Sequence, residues 1–379
     1  MSSEGEGGRV LTALGMMSGT SMDGIDVALL RTDGADRVER GPFLFVPYPD
    51  ALRQRIEQGL IDAEAIERRT DRPGDLDALE AELTDRHAAA VRAFLAANDI
   101  RTEAIDLVGV HGQTVLHRPE RALTVQLLDA GALARALGLR IVHDIRQEDI
   151  RMGGQGAPLV PVYHRALARG VLGWPAEETI AFVNIGGISN VTVVAPDGLT
   201  AFDSGPGNSL IDQWMRQEAG IPYDDGGRVA GEGKIERSFV TRMLDRPFFR
   251  TAGPKSLDRS DFVLPPDWRA EVSDGARTLA RATAEAIAAH IDLLPITPTR
   301  WVVSGGGAHN RVIMDDLREL LGPARVYGAD ELGLDGDAME AEAWAYLAVR
   351  VAKGLNVSEP GTTGRRPLSE DRAKFAEWL

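Results

Sequence analysis

A chain of 379 residues, 44% hydrophobic and 26% charged, is long enough for two packed domains and too mixed in composition for a disordered or fibrous protein. Its 57 acidic side chains against 42 basic ones give a net charge of −15, which opposes non-specific attraction to nucleic acid or to an anionic membrane. The absence of cysteine excludes disulfides, thiolate metal sites and cysteine nucleophiles together.

The start, MSSEGEGGRV, lacks the basic-then-apolar order of a signal peptide, and no run approaches a membrane span. A cytoplasmic protein is expected, with neither nucleic acid nor membrane as partner. Residues 9–16 (RVLTALGM) and 24–32 (GIDVALLRT) read as paired strands around a turn, with a third strand at 37–48. From Asp75 to Asn98 the apolar residues Leu76, Leu79, Leu83, Val91, Phe94 and Leu95 recur at helical spacings and predict a long amphipathic helix. Strands follow at 105–110, 122–128 and 140–145, with helices over 129–138 and, after RMGGQGAP, over 158–169.

The loop GWPAEE at 173–178 marks a boundary, after which the pattern restarts. A strand at 179–185, a turn at Gly186-Gly187 and a returning strand at 189–195 end in Asp197-Gly198, as the opening strands ended in Asp33-Gly34. Helices over 207–219, 235–245 and 275–293, a strand at 301–307, and helices over 310–321 and 337–353 complete the second half. This repeated plan resembles the actin-like ATPase and sugar kinase architecture. The expected fold is therefore α/β, a duplicated actin-like (ribonuclease H-like) two-domain kinase fold with an interdomain ATP cleft. Its halves span 9–175 and 176–355, the second with helical insertions, and 1–8 and 356–379 are terminal extensions.

Three glycine turns, GTSMDG at 19–24, NIGGISN at 184–190 and SGGGAHN at 304–310, each follow an apolar strand. Glycine admits positive φ and close backbone approach, so successive N–H groups can point at phosphate oxygens. One such turn is ordinary strand punctuation; three, at the start of the first half and at the start and end of the second, point to one nucleotide. Neither GxxxxGK[ST] nor a strand-leading GxGxxG is present. In the first turn Ser18, Thr20 and Ser21 offer hydroxyls and Gly19 an unhindered N–H, while Asp23 and Asp26 can orient water on a magnesium ion. Asp26 reads equally as a solvent-side strand residue.

The stretch AFDSGPGNSLID, 201–212, puts a carboxylate at the end of an apolar strand, followed by a Ser-Gly-Pro-Gly turn and by Asn208 as a helix cap. Asp203 reads as a general base on a rigid strand end, or as a turn-stabilising aspartate. HGQTVLH at 111–117 follows a strand, Asp144 and Arg146 stand at another strand end, and GPKSLDR at 253–259 adds Lys255. His111 is a site candidate or a loop cross-link. His87, His164 and His290 fall in helical stretches and His143 in a strand, with no metal-binding spacing among them.

In order along the chain, GMMSGTSMDGID, HGQTV, GGQGAPLVP, NIGGISN, FDSGPGN, GPKS, SGGGAHN and DAMEAEAWAYLA closely resemble the anhydro-N-acetylmuramic acid kinase family, from about Val10 to Val351. The resemblance implies a kinase that uses ATP and magnesium to open 1,6-anhydro-N-acetylmuramic acid with water and phosphorylate O6, giving N-acetylmuramic acid 6-phosphate in peptidoglycan recycling. It maps the ATP-binding segment onto Gly19, Thr20, Ser21, Met22, Asp23, Gly24, Ile25 and Asp26. The turns add Gly186, Gly187, Gly305, Gly306 and Gly307. Asp203 is the implied catalytic aspartate and Glu340, Asp144 and Arg146 the implied sugar contacts; His111 is a further substrate candidate from its place after a strand.

Gln147 and Glu148 stand where the family leads one to expect an arginine run, and Leu257-Asp258-Arg259 where Thr-Gly-Arg is expected after PKS. The C-terminal stretch keeps a Thr-Gly and then diverges. Two other readings stay open at this stage: an ordinary sugar kinase with Asp203 deprotonating a free hydroxyl, and an actin-like nucleotide-dependent regulator without sugar chemistry. Oligomeric state is open too, a homodimer among the options.

Overall fold

A near-continuous apolar run from Leu11 builds β1 (Leu11–Ser18), which turns back through β2 (Gly24–Thr32) and β3 (Val38–Pro47). The computed structural model describes residues 8–19, 22–253, 255–257, 261–322 and 324–366. After β3 come α1 (Asp50–Asp62), α2 (Leu76–Ala97), β4 (Leu107–Arg118), β5 (Leu123–Leu127), α3 (Ala130–Leu137), β6 (Ile141–Val142), α4 (Ile145–Arg151) and α5 (Pro161–Ala166). The sheet order is β3-β2-β1-β4-β5, with the short β6 beside β4. One face is sealed by α1 and α2, whose Leu52, Ile56, Leu79, Leu83 and Phe94 pack on Leu14, Met16, Ile25 and Val27.

The second sheet is built from β7 (Ile180–Ile185), β8 (Ile188–Ala195), β9 (Gly198–Pro206), β10 (Arg300–Ser304) and β11 (Arg325–Gly328), in the order β11-β10-β7-β8-β9. Around it lie α6 (Ser209–Ala219), α7 (Arg237–Leu244), α8 (Val272–Ala288) and α9 (Arg311–Leu320). The duplication expected from the sequence is visible as topology. In each sheet three consecutive strands form an antiparallel meander, β1-β2-β3 and β7-β8-β9, and a later strand, β4 or β10, pairs in parallel with the first of them. The α/β fold class stands.

By internal contacts the chain divides into Met1–Gly173 with Ala338–Leu379, and Trp174–Asp337. Within the 176–355 expected as the second half, α10 (Met339–Ala352) belongs instead to the first unit, as does α11 (Pro360–Thr363) of the expected terminal extension. Two glycines give the reason. Gly15 and Gly109 are register partners across the parallel β1–β4 pair. A Cβ on Gly15 would stand 1.8 Å from the Ala341 carbonyl oxygen, and one on Gly109 2.2 Å from that of Trp344. The bare strip of backbone lets α10 lie directly on the sheet, with Ala341, Ala345 and Ala348 fully buried.

Several boundaries differ from expectation. The strand expected at 105–110 runs on to Arg118 and carries the HGQTV motif inside it. The SGPG segment expected as a turn is paired in β9 as far as Pro206. The strand expected at 140–145 is only two residues long and gives way to α4, and α1, β11 and α11 were not anticipated. Among the described residues no helix is long and apolar enough to cross a membrane.

Candidate active site

The opening turn is held from behind. Ser18 is fully buried, and its hydroxyl donates to Gln113 Oε1 at 2.7 Å and lies 2.8 Å from the Tyr48 hydroxyl, which must then be the donor to it. Gln113 Nε2 donates to the Gly19 carbonyl at 3.2 Å, and the Tyr48 N–H to the Asp23 carbonyl at 2.8 Å. Tyr48 thus grips both ends of the turn, and Ser18, expected as a phosphate donor, is committed to the scaffold instead. Thr20 and Ser21 lie outside the described residues. Met22 sits at φ 56° with its N–H on the Gly19 carbonyl at 3.2 Å. Gly24 and Ile25 are buried at the start of β2, where a Cβ on Gly24 would come within 2.4 Å of the Phe45 ring and the Val46 carbonyl oxygen. Packing alone therefore demands Gly24. Asp23 is exposed and Asp26 half-buried.

Across the sheet, two residues of β4, His111 and Gly112, stand against the single Met17 of β1, a bulge that Gly112 accommodates at φ 74°. The bulge directs His111 to Arg146 of α4. Arg146 Nε donates to His111 Nε2 at 2.7 Å, so His111 carries its proton on Nδ1, which lies 3.2 Å from the Ser18 carbonyl. Burial, reinforced by the adjacent guanidinium, holds the His111 pKa well below the ordinary imidazole value, and the ring stays neutral. Arg146 also donates from Nη1 to the Gly156 carbonyl at 2.8 Å and lies 5.6 Å from the centre of the Trp344 ring. Burial lowers its pKa to about 10, which leaves it charged at neutral pH. Glu340, half-buried at the start of α10, feels the attraction of Arg146, yet burial raises its pKa and Asp23 adds to the rise.

These contacts bring His111, Arg146 and Glu340 together with the Gly19 turn. Asp144 is elsewhere. It caps α4 at φ 58°, is paired with Arg69 and with His143 at 3.3 Å, and lines a different cavity with Val142, Val351 and Val357. Its carboxylate has a structural task, and the expected grouping of Asp144 with Arg146 is not observed.

In the second unit Asp203 occupies β9 beside a matching bulge, where Ser204 is the extra residue between the pairs Ser189–Gly205 and Asn190–Asp203. Its N–H donates to the Lys255 carbonyl at 2.9 Å and its Oδ2 accepts from the Leu257 N–H at 2.7 Å. Burial raises its pKa to about 6, with the Leu257 N–H pulling the other way. Lys255 does not neutralise it; the ammonium turns back to the carbonyls of Phe248 and Thr251, both at 2.6 Å, over the Phe248 ring.

The turns of this unit interlock. The Gly186 and Gly187 carbonyls accept the N–H groups of Asn208 and Gly207 at 2.7 and 2.9 Å. Asn208 does not cap α6 with its side chain as expected; its Nδ2 donates to the Ile185 carbonyl at 3.2 Å. A Cβ on Gly305 or Gly307 would collide with Asn184 Oδ1 at 2.3 Å or Ile185 Cγ2 at 2.2 Å, whereas one on Gly187 would meet only the Ser209 Cβ, at 3.8 Å. Gly305 also lines a hollow with Ala308, Gly328, Asp330 and Gly336 at the carboxyl ends of β10 and β11, the end of a parallel sheet at which ligands of open α/β sheets bind.

Residues 11–372 match the family described as anhydro-N-acetylmuramic acid kinase. The chain is 52% identical to the anhydro-N-acetylmuramic acid kinase of Rhizobium etli over 94% of its own length and 96% of the relative's. The Agrobacterium fabrum protein of the same name is 51% identical with the same coverage. The chain belongs to the anhydro-N-acetylmuramic acid kinase family. Membership meets the expectation of an anhydro-sugar kinase over that of an actin-like nucleotide-dependent regulator without sugar chemistry. Among solved structures, component A of the Acidaminococcus fermentans (R)-2-hydroxyglutaryl-CoA dehydratase aligns with 89% of this chain and 99% of its own, at 13% identity and a TM-score of 0.46, too distant to bear on the chemistry.

For a kinase of this family the supporting residues matter as much as the motifs. Gln113 and Trp344 sit inside HGQTV and DAMEAEAWAYLA, where nothing local sets them above their neighbours. Tyr48 lies outside every motif, and its one sequence signal is an aromatic hydroxyl at the end of an apolar strand. Among the described residues no group of three or more His, Asp or Glu is placed to hold a metal ion. A magnesium ion that takes most ligands from phosphate and water asks for only one or two carboxylates, and the hard oxygen donors Asp23 and Asp26 suit that role.

Proposed function

We propose that this kinase opens 1,6-anhydro-N-acetylmuramic acid with water and transfers the γ-phosphoryl group of ATP to O6, releasing ADP and N-acetylmuramic acid 6-phosphate. Asp203 takes a proton from water as its oxygen bonds to C1; the C1–O6 bond breaks, and O6 takes the phosphoryl group. Capture of O6 by phosphorus replaces the general acid of ordinary glycosidases, so one carboxylate serves where those enzymes need two. The observation that carries this reading is the Asp203 carboxyl itself, held by one backbone N–H and raised by burial to about 6, basic enough to accept a proton and still ionised at neutral pH.

Arg146 and Glu340 bind the sugar, with His111 fixing the guanidinium plane. The opening turn, Gly186, Gly187 and Gly306 approach the nucleotide phosphates by backbone, and the hollow beside Gly305 takes the adenosine. Asp23 and Asp26 would hold a magnesium ion, which would supply charge neutralisation to the phosphates. The setting is cytoplasmic peptidoglycan recycling. The test is product analysis after reaction with ATP, magnesium and the anhydro sugar in ¹⁸O water. Label at the C1 hydroxyl and none in the phosphate is expected; label in the phosphate would mean that water attacked phosphorus and would sink the mechanism.

A further inference from the structure

Asp149 lies on α4 one turn beyond Arg146 and is 1% exposed. A carboxylate so deeply buried costs several kcal/mol unless its oxygens are fully hydrogen-bonded. Here Oδ1 accepts from the hydroxyls of Ser358 and, at 2.9 Å, of Thr363, while Oδ2 accepts the Gly156 N–H at 2.8 Å. The other end of Gly156 is its carbonyl, the group that receives Arg146 Nη1. A single residue is therefore gripped by Asp149 through its N–H and by Arg146 through its oxygen.

Gly156 has little freedom to do otherwise. It sits at φ 73°, and a Cβ there would come within 3.1 Å of the Arg146 carbonyl oxygen. The C-terminal stretch closes the back of the loop: the Gln155 N–H donates to the Thr363 carbonyl at 2.8 Å and the Arg366 N–H to that of Met152 at 3.3 Å. Arg365, 3% exposed, adds a buried positive charge that interacts with Asp149 and Glu148. Two of the five N–H donors of Arg146 are taken by His111 and Gly156, and two fixed points set the plane in which a rigid guanidinium fork presents the rest.

We propose that Asp149 is a positioning residue for the sugar, orienting Arg146 through Gly156, and that Ser358 and Thr363 of the C-terminal segment are the clamp that orients Asp149. The inference rests on the reading of Arg146 as a sugar contact. It gives the C-terminal segment, whose sequence diverges after Thr-Gly, a part in substrate binding.

Four variants of the full chain test it: Arg146→Ala, Asp149→Asn, Thr363→Val and Thr363→Ser, each measured for KM of the anhydro sugar, KM of ATP, kcat and melting temperature. Arg146→Ala is expected to raise the sugar KM at least about tenfold, the loss of a charge-assisted hydrogen bond. Thr363→Val removes one hydroxyl and is expected to raise it about threefold, and Asp149→Asn about tenfold, both with the ATP KM unchanged. Thr363→Ser keeps the hydroxyl and should restore the parent value. If Asp149→Asn does not fold, Thr363→Val decides. Folded Thr363→Val with a parental sugar KM beside a raised one in Arg146→Ala overturns the positioning role alone, as do equal rises for sugar and ATP. An unchanged sugar KM in Arg146→Ala overturns the reading of Arg146 and the inference with it.

Discussion

The N–H of Leu257 reaches Oδ2 of Asp203 at 2.7 Å, and among the described residues this bond is what opposes the burial of the ionised carboxyl. Leu257 stands where a threonine was expected from the family pattern, but the contact is made by its backbone, so the departure leaves the grip on Asp203 intact.

The pH profile follows from that balance. With Asp203 near 6, the base is protonated below that value. The kcat should fall about tenfold per pH unit below about 6 and level off above it. A pH–rate series with saturating ATP and sugar reads this directly; a profile flat down to pH 4.5 would remove Asp203 as the base.

Asp203→Asn should separate chemistry from binding. Turnover is expected to drop by at least ~10²-fold with ATP and sugar binding retained by calorimetry. Stability should move the other way, with a definite sign. The folded carboxyl titrates near 6 against 3.8 for the free group, so its neutral form is favoured by folding and the associated stability, full below about 4, is lost as pH rises through 6. Allowing for partial solvent screening, the asparagine variant should be more stable than the parent by about 1–2 kcal/mol at pH 8 and no more stable at pH 3.5. Thermal melts at the two pH values check it.

The glycines divide into two classes that substitution distinguishes. Gly187→Val finds open space and should fold normally while weakening ATP binding. Gly307→Ala meets the Ile185 side chain and should lose about 1–3 kcal/mol of stability with no ligand present. Denaturant melts together with ATP titration separate the two; parental ATP affinity in Gly187→Val would return that turn to a purely architectural role.

Tyr48→Phe deletes one hydroxyl that donates to the buried Ser18. Loosening one end of the opening turn should raise the ATP KM roughly two- to tenfold, the worth of one hydrogen bond, and leave the sugar KM alone. Steady-state kinetics with each substrate varied in turn give the answer.

The near-continuous apolar runs of β1, β2, β7 and β8, punctuated by glycine turns, made the two hairpins legible from residues alone, because central strands covered on both faces are apolar at almost every position. The later parts of β4 and β9 were not, because HGQTV and FDSGP are polar and glycine-rich like loops, and what keeps them extended is pairing with β5 and β8, partners no local pattern reports. Asp203, His111 and Arg146 announced themselves as polar residues at apolar strand ends. Asp144 looked the same, and only Arg69, 75 residues away, tells it apart. Tyr48 and Asp149 act through neighbours brought in by the fold, and although Gly156 sits in GGQGAPLVP, nothing adjacent in sequence shows which groups grip it.

The placement of α10 sets the order in which the chain can fold as it is made. Trp174–Asp337 is one continuous stretch and has everything it needs once it emerges. The first sheet does not: β1 and β4 have their glycine strip open to water until Met339–Ala352 arrives, long after α5 ends at Ala166. The unit that begins the chain is therefore the last to be completed, and during synthesis its half-covered sheet is the aggregation-prone surface a chaperone would have to shield.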